Sequence, residues 1–261
     1  MPIQSKQLSA SLPRSLRSRR SDLVEWMDRP DCDPVMLHNT YRYFPVINRL
    51  ISRWRGVYHR FIRPLLEPGI TFRLLDVGSG GGDITKNIYK WAKQDGFLLD
   101  VTGIDPDPRA LEYAMAHQKK AGAVTDTDNP AAAGLRFFQT DTATLRKKGH
   151  TFSFVICNHV LHHLPESEIS GFLDDLAALA TDRVICSDIE RSTVGYALFS
   201  IATWPLFPNS YIRADGLISI RKSFRPGELN HILPADWRVV RQFPYRLLAV
   251  LDHSADAEHP T

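Results

Sequence analysis

The sequence predicts an α/β protein built on a mostly parallel sheet with helices on both faces. Three observations predict it. Short apolar runs of strand character recur between residues 73 and 188, separated by helical stretches, the alternation that βαβ units produce. The first of these runs, Arg73-Leu-Leu-Asp-Val-Gly, stops abruptly in a cluster of glycines. The second ends in an acid, Asp105, at the edge where an open α/β sheet has its crevice.

Taken in order, residues 1–20 are polar, Ser- and Arg-rich, and are expected to form a disordered leader. Residues 21–68 are expected to form a helical cap, broken near Pro30–Asp33–Pro34. Beyond the break, Leu37, Tyr41, Phe44, Ile47, Leu50 and Ile51 recur at helical spacing. The α/β domain is expected over 69–253. Its strands are read at Arg73–Val77, Leu98–Ile104, Leu135–Gln139, Phe152–Asn158 and Arg183–Asp188, with helices over 83–94, 108–120 and 166–180 between them. Ala123–Gly134, rich in Thr, Asp, Ala and Pro, reads as a surface loop. An aromatic-rich insertion, 190–222, follows the fifth strand. Trp237–Phe243 and Tyr245–Leu251 then pair as an antiparallel hairpin at the sheet edge, which completes seven strands with an antiparallel terminal one. Residues 254–261 read as a tail.

Composition narrows the function. At 261 residues with 43% hydrophobic and 23% charged side chains, the chain can bury a full sheet without disulfide or metal staples. A net charge of only +3 gives no global case for nucleic-acid binding. Three cysteines, Cys32, Cys157 and Cys186, form no CxxC pair, which suggests a reducing compartment. The start of the chain lacks the apolar core of a secretory signal, and the expectation is a cytoplasmic protein. The most membrane-like run, Val194–Phe207, is shorter than the roughly 20 residues a spanning helix needs and reads as a buried or interfacial helix, so stable membrane insertion is not expected.

The glycine loop, Leu74-Leu-Asp-Val-Gly-Ser-Gly-Gly-Gly-Asp83, carries the sharpest chemistry. Gly78, Gly80 and Gly82 tolerate positive φ and leave no Cβ between the backbone and a ligand, and the helix beginning near Asp83 turns its free N–H groups the same way. The dinucleotide pattern G-x-G-x-x-G would place its third glycine at position 83, which is Asp. Asp76 and Asp83 around the loop serve a pyrophosphate poorly. They suit a zwitterionic amino-acid head beside a sulfonium cation, which favours S-adenosylmethionine (SAM) over NAD. Asp105, about twenty residues past Gly82, has the spacing of an acid that accepts from both ribose hydroxyls, although Asp105 and Asp107 also suit the turn before a Pro108 helix start.

The order DVGSGGG, GIDPDP, QTDTATL and FVICNHVLHHLPE, over roughly residues 70–190, resembles the class I SAM-dependent methyltransferases, closest to those acting on quinols, phenols and related small metabolites. The resemblance implies a Rossmann-like methyltransferase fold with SAM as donor and S-adenosylhomocysteine (SAH) as product. It implies that Asp76, Gly78, Ser79, Gly80 and Gly82 hold the methionine part and that Asp105 and Pro106 hold the ribose. Asp141, with Thr142, would accept from the adenine amino group, and Asn158 and His159 would line the site. Asp188-Ile-Glu-Arg-Ser192 and the stretch Asp215–Leu229 resemble a bacterial subgroup tied to polyketide-type aromatic metabolism, a secondary-metabolism setting.

His159, His162 and His163 follow the fourth strand. H-V-L-H-H lacks the Glu of H-E-x-x-H, so no metal is expected. A phenolic or enolic acceptor must lose a proton, which histidine takes up near neutral pH; His162, then His159, then Asp188 are the candidates. Tyr43, Tyr196, Phe199, Trp204 and Arg213 are the expected lining of an acceptor pocket under the 190–222 lid. The expected reaction is O-methylation of a small, largely apolar aromatic, with C-methylation of a quinol-type ring as its alternative and a non-catalytic SAM-fold binding protein as the alternative of another class. Oligomeric state is left open, a homodimer included.

Overall fold

The structure, a computed structural model, describes residues 16–118 and 134–253. Seven strands form one sheet in the order β3-β2-β1-β4-β5-β7-β6: β1 (Thr71–Val77), β2 (Leu98–Asp105), β3 (Leu135–Gln139), β4 (Phe152–Asn158), β5 (Ala180–Ile189), β6 (Trp237–Gln242) and β7 (Arg246–Asp252). The first five pair in parallel, and β7 runs antiparallel to both β5 and β6, as expected from the sequence. The expected strand ends hold to within a residue or two, except that β5 starts earlier, at Ala180.

Register decides where the crevice lies. Val77 pairs with Ile104 and Cys157, and Asn158 with Ser187, so β1, β2, β4 and β5 end at one edge. Strand order reverses between β1 and β4, which opens the crevice at that edge. Alternation along β1 builds a core on each face. Leu74 joins Trp54, Tyr58, Ile62, Ile88 and Phe154 on one side, whereas Leu75 joins Val155, Leu173, Leu176 and Trp237 on the other.

The helices obey the same arithmetic. α3 (Asp83–Gln94) buries Ile84, Ile88 and Ala92 in one stripe, and α6 (Glu166–Leu179) buries Ile169, Leu173, Leu176 and Leu179. α1 (Pro34–Ile47) starts where Asp33 accepts from the Val35 and Met36 N–H groups, with Pro34 at its first position. A chain of short helical turns, including α2 (Trp54–Val57), continues to Leu65. α4 (Pro108–Gln118) and α5 (Thr142–Lys147) flank β3.

Two expectations change. Residues 21–33 are turns rather than helix, and Leu16–Arg20 of the expected leader are packed. The backbone of this stretch is held by side chains of later elements. Trp26 and Met27 N–H donate to Asp215, Arg109 donates to the Met27 and Arg29 carbonyls, and Tyr211 accepts from Asp33 N–H. Buried Arg191 reaches the Leu16 carbonyl, and Arg19 reaches those of Lys222 and Leu164. A segment whose polar groups find partners across the fold has no need of its own ladder. Residues 16–33 therefore form a strap. The rest of the leader, the tail 254–261 and positions 123–133 of the expected loop lie outside the described residues.

The 190–222 insertion is a helical pair, α7 (Thr193–Ala202) and α8 (Ile212–Lys222), followed by α9 (Pro226–Ile232). Its base is pinned where Arg191 N–H donates to the Phe224 carbonyl and the Arg191 guanidinium to that of Ser223. α7 buries Tyr196 but leaves Val194, Leu198 and Ile201 exposed. No helix among the described residues is long and apolar enough to cross a membrane.

Candidate active site

A cavity of about 620 Å³ opens at the carboxyl edge of β1, β2 and β4, within the range of small-molecule sites. Its floor is Asp76, the loop Gly78–Gly81, Asp105, Pro106, Asn158 and His159; the strap, α1, α7 and α8 roof it.

The loop is shaped by backbone and by one ring below it. Gly80 has φ +52 and a Cβ there would meet only open space, so conformation is what position 80 demands. At Gly82, φ is +72 and a Cβ would lie 2.5 Å from the Phe137 ring. Gly103 abuts the same ring, which wedges Phe137 beneath the loop. Asp105 ties the loop to the next turn, accepting from Gly80 N–H at 2.9 Å and from Asp107 N–H at 2.9 Å.

Three carboxylates surround this floor. Burial pushes Asp76 up to about 7, against a 2.6 Å hydrogen bond from Thr85 and with Asp83 and Asp105 adding to the rise. Burial also raises Asp83, which accepts from Asn48, and Asp105. Lys86 donates to the Gly81 carbonyl, and burial lowers it to about 8. The ionised forms of these buried acids are favoured by a cation brought beside them. That fits the sulfonium and ammonium of SAM and opposes a pyrophosphate.

At the far end, His162 is buried between two acids. Its Nδ1 donates to Asp188 at 2.6 Å, its backbone N–H donates to the other Asp188 oxygen, and its Nε2 lies 3.3 Å from Glu25 Oε1. Burial disfavours the imidazolium, but Asp188 and Glu25 outweigh it and hold His162 up at about 9. Asp188 is buried and absent from the cavity wall, so it orients His162 instead of meeting a substrate. His159 (φ +61) stands in a different environment. Its Nε2 accepts from Arg246 at 2.9 Å, and burial with that cation keeps the ring neutral.

Arg246 was invisible as a site residue in the sequence, where it heads an apolar strand. It is fully buried, and burial lowers it to about 10. It donates to Asn158, Ser187 and His159, while Trp54 Nε1 donates to the same Asn158 oxygen. Arg246→Met strips partners from all three acceptors, at about 1 kcal/mol or more each. The expected result is a loss on the order of 3 kcal/mol in denaturant unfolding; an unchanged midpoint would show the network to be idle.

The other expected residues divide. Gly78, Ser79, Pro106 and Phe199 line the cavity; Gly82 shapes the loop from behind it. Asp141 and Thr142 do not line it: Asp141 is exposed and caps α5 through Thr144 N–H, and Thr142 donates inward to Asp175. Of the expected acceptor pocket only Phe199 faces in. Tyr43 packs edge-on to Phe207, Tyr196 is buried among Leu16, Leu217 and Ile220, and Trp204 is 72% exposed beneath the Arg213 guanidinium. Helical phase explains this, because α7 turns Leu198 and Phe199 to the cavity and Tyr196 to α8. Phe44, Ile47, Leu206 and Phe207 supply the apolar wall instead. Glu25, in a stretch read as helix, was not foreseen.

Among the described residues, Glu25, His162 and His163 bring ligand-type atoms within 4.8 Å of one another, as do His159, His162 and Asp188. Resident donors already serve the second group and, in the first, Glu25 and His163 but not His162 Nε2. Lys222 Nζ stands 3.4 Å from Glu25 and 3.3 Å from His163 Nδ1, and Arg246 and the His162 proton fill the second.

The glycine loop, the acid ending β2 and the strand order define the class, and residues 74–183 match the family model described as a methyltransferase domain. Over these residues the chain is similar to methyltransferase domains, and its fold is that of the SAM-dependent methyltransferases. It is 35% identical over 160 residues to the ubiquinone biosynthesis O-methyltransferase of Histophilus somni (strain 2336), a match covering 61% of each chain. The namesake from Vibrio cholerae serotype O1 (strain M66-2) is 27% identical over 160 residues, 60% of this chain and 57% of that one. The chain thus spans about three fifths of these relatives. In fold it resembles the plantazolicin methyltransferase BpumL in complex with SAH (TM-score 0.58, 14% identity, 86% and 91% of the chains). It also resembles a SAM-dependent methyltransferase from Aquifex aeolicus (TM-score 0.52, 17% identity, 84% and 97%).

Proposed function

We propose that this protein transfers a methyl group from SAM to a hydroxyl of a small, largely apolar aromatic acceptor: a phenol, a quinol or a polyketide-like ring. One observation carries this reading. A single cavity joins a carboxylate-lined glycine loop to a His162–Asp188 pair across an apolar wall. The names of the curated relatives agree with it at modest identity.

The sulfonium of SAM supplies an activated methyl group for in-line displacement. This chain's residues do the rest. The glycine loop and Asp105 hold the donor, and the apolar roof excludes water and aligns the acceptor, which accounts for much of the rate in such a reaction. His162, with Nδ1–H fixed by Asp188, offers Nε2 for the acceptor proton. A base titrating near 9 matches a phenolic proton near 10. C-methylation of a quinol ring is the alternative at the same site, since a deprotonated quinol also activates its ring carbons.

The deciding experiment is a panel of phenols, quinols and polyketide-like aromatics incubated with methyl-labelled SAM. Mass analysis and NMR then separate a methyl ether from a ring methyl. SAM binding without methylation of any acceptor would sink the enzymatic reading in favour of a binding protein, and tight NAD binding would sink the donor.

Donor binding is expected to depend on pH. Asp76 is half-protonated near pH 7, and a bound cation favours its ionised form, so binding below pH 7 expels a proton. SAM affinity should fall by up to about tenfold per pH unit below 7. SAH, lacking the sulfonium charge, should fall less steeply, and Asp76→Asn should flatten the slope. Calorimetry in buffers of differing ionisation enthalpy reads the proton directly; equal slopes for SAM and SAH would refute the assignment.

A further inference from the structure

Glu25 stands outside the residues matched by the methyltransferase family model, yet it lines the cavity. The strap places it there firmly. Trp26 and Met27 N–H are clamped by Asp215 of α8 at 2.7 and 3.0 Å, and Glu25 Oε1 accepts from Ser219 Oγ at 2.8 Å with Lys222 Nζ at 3.4 Å. At 4% exposure Glu25 is among the least exposed acids of the chain, so its position is built rather than sampled.

We propose that Glu25 is a positioning residue for proton transfer, which acts through His162 by opposing its Nε2 while Asp188 holds Nδ1. This rests on the reading of His162 as the base given above. With Nδ1 protonated toward Asp188, a neutral ring turns its Nε2 lone pair toward an anionic oxygen 3.3 Å away. Nε2 is buried and has no aligned hydrogen-bond partner among the described residues. Two acceptors facing each other are relieved by a proton, or by an acceptor hydroxyl that donates between them. Glu25 thereby makes His162 a stronger base and gives the incoming hydroxyl a reason to bind in the donating orientation.

The other charges around the ring set the background. Arg19 of the strap donates to the His162 carbonyl at 3.3 Å, and His163 of the same turn lies tilted against the ring and pairs with Asp28. Lys222 and Asp215 of α8 lie behind Glu25, and His159 and Arg246 of β7 lie on the Asp188 side. None of these meets Nε2 directly; Glu25 Oε1 itself also lies 3.4 Å from Lys222 Nζ and 3.6 Å from His163 Nε2.

The test is Glu25→Gln. The amide keeps the Ser219 contact and can donate to Nε2, which stabilises the neutral ring. Ring-labelled histidine NMR should show the His162 midpoint falling by about one pH unit or more, and the acid limb of kcat/KM should move with it. Glu25→Asp keeps the charge and should stay near the parent; SAM affinity should remain within about twofold in both, and thermal melting checks their folding. A His162 titration that superimposes on the parent's in folded Glu25→Gln overturns the inference, whatever the activity. Failure of the parent to methylate any acceptor overturns the function and leaves the NMR result to judge Glu25 alone.

Discussion

Asp105→Ala should weaken SAM binding by about a hundredfold or more, the largest effect of any single change at the donor end. The acid has two tasks here. It holds Gly80 and Asp107 N–H at 2.9 Å each, so the glycine loop and the next turn share one anchor, and its place at the end of β2 is where ribose hydroxyls donate. Hydrogen bonds to a charged partner contribute about 1.5–3 kcal/mol each, and two of them amount to roughly 3 kcal/mol, or about two decades in Kd. Asp105→Asn keeps one acceptor and should fall between. Isothermal titration with SAM measures this, and an affinity within threefold of the parent would show that the loop alone holds the donor.

His162→Gln should cost turnover on the order of 10²- to 10⁴-fold and leave SAM affinity nearly intact, because the proposed donor site is the glycine loop at the other end of the cavity. The pH signature is more discriminating than the magnitude. In the parent, kcat/KM should climb with pH toward a plateau above about 9, where the imidazolium loses its proton; in the variant that limb should vanish. Stability must show the mirror image. A histidine raised from its usual 6.5 stabilises the fold fully below that value and loses the contribution as pH rises through about 9. The parent's Tm should therefore fall between pH 7 and 10 by more than the variant's. A variant with parental kcat would leave alignment and exclusion of water as the whole of catalysis.

How much of this was legible beforehand depended on the range of the forces involved. Alternating apolar runs specify strands because side chains on a strand alternate between faces, so β1 to β7 were read nearly to their ends, and α3 and α6 by their 3.6-residue period. The glycine loop was legible because positive φ and close backbone approach are local demands that the residue type itself meets. Asp105 and His162 were legible through position, one ending a strand and the other just beyond one.

Residues recruited by distant partners were not. Glu25 sits in a stretch read as helix, but the backbone just after it is claimed by Asp215 and Arg109, and its carboxylate faces α8 and His162. Among the insertion's aromatics, helical phase and the pinned base turned Phe199 inward and left Trp204 in solvent.

The sheet and the glycine loop were readable from the chain alone, because each follows from neighbouring residues. The different surroundings of the histidines appear only in the folded chain. His159 and His162 are three residues apart and chemically the same, and what separates them is that Arg246 arrives at one from β7 while Asp188 and Glu25 arrive at the other from β5 and the strap. A proton's affinity is fixed by charges within a few ångströms, and those charges come together only when the chain folds.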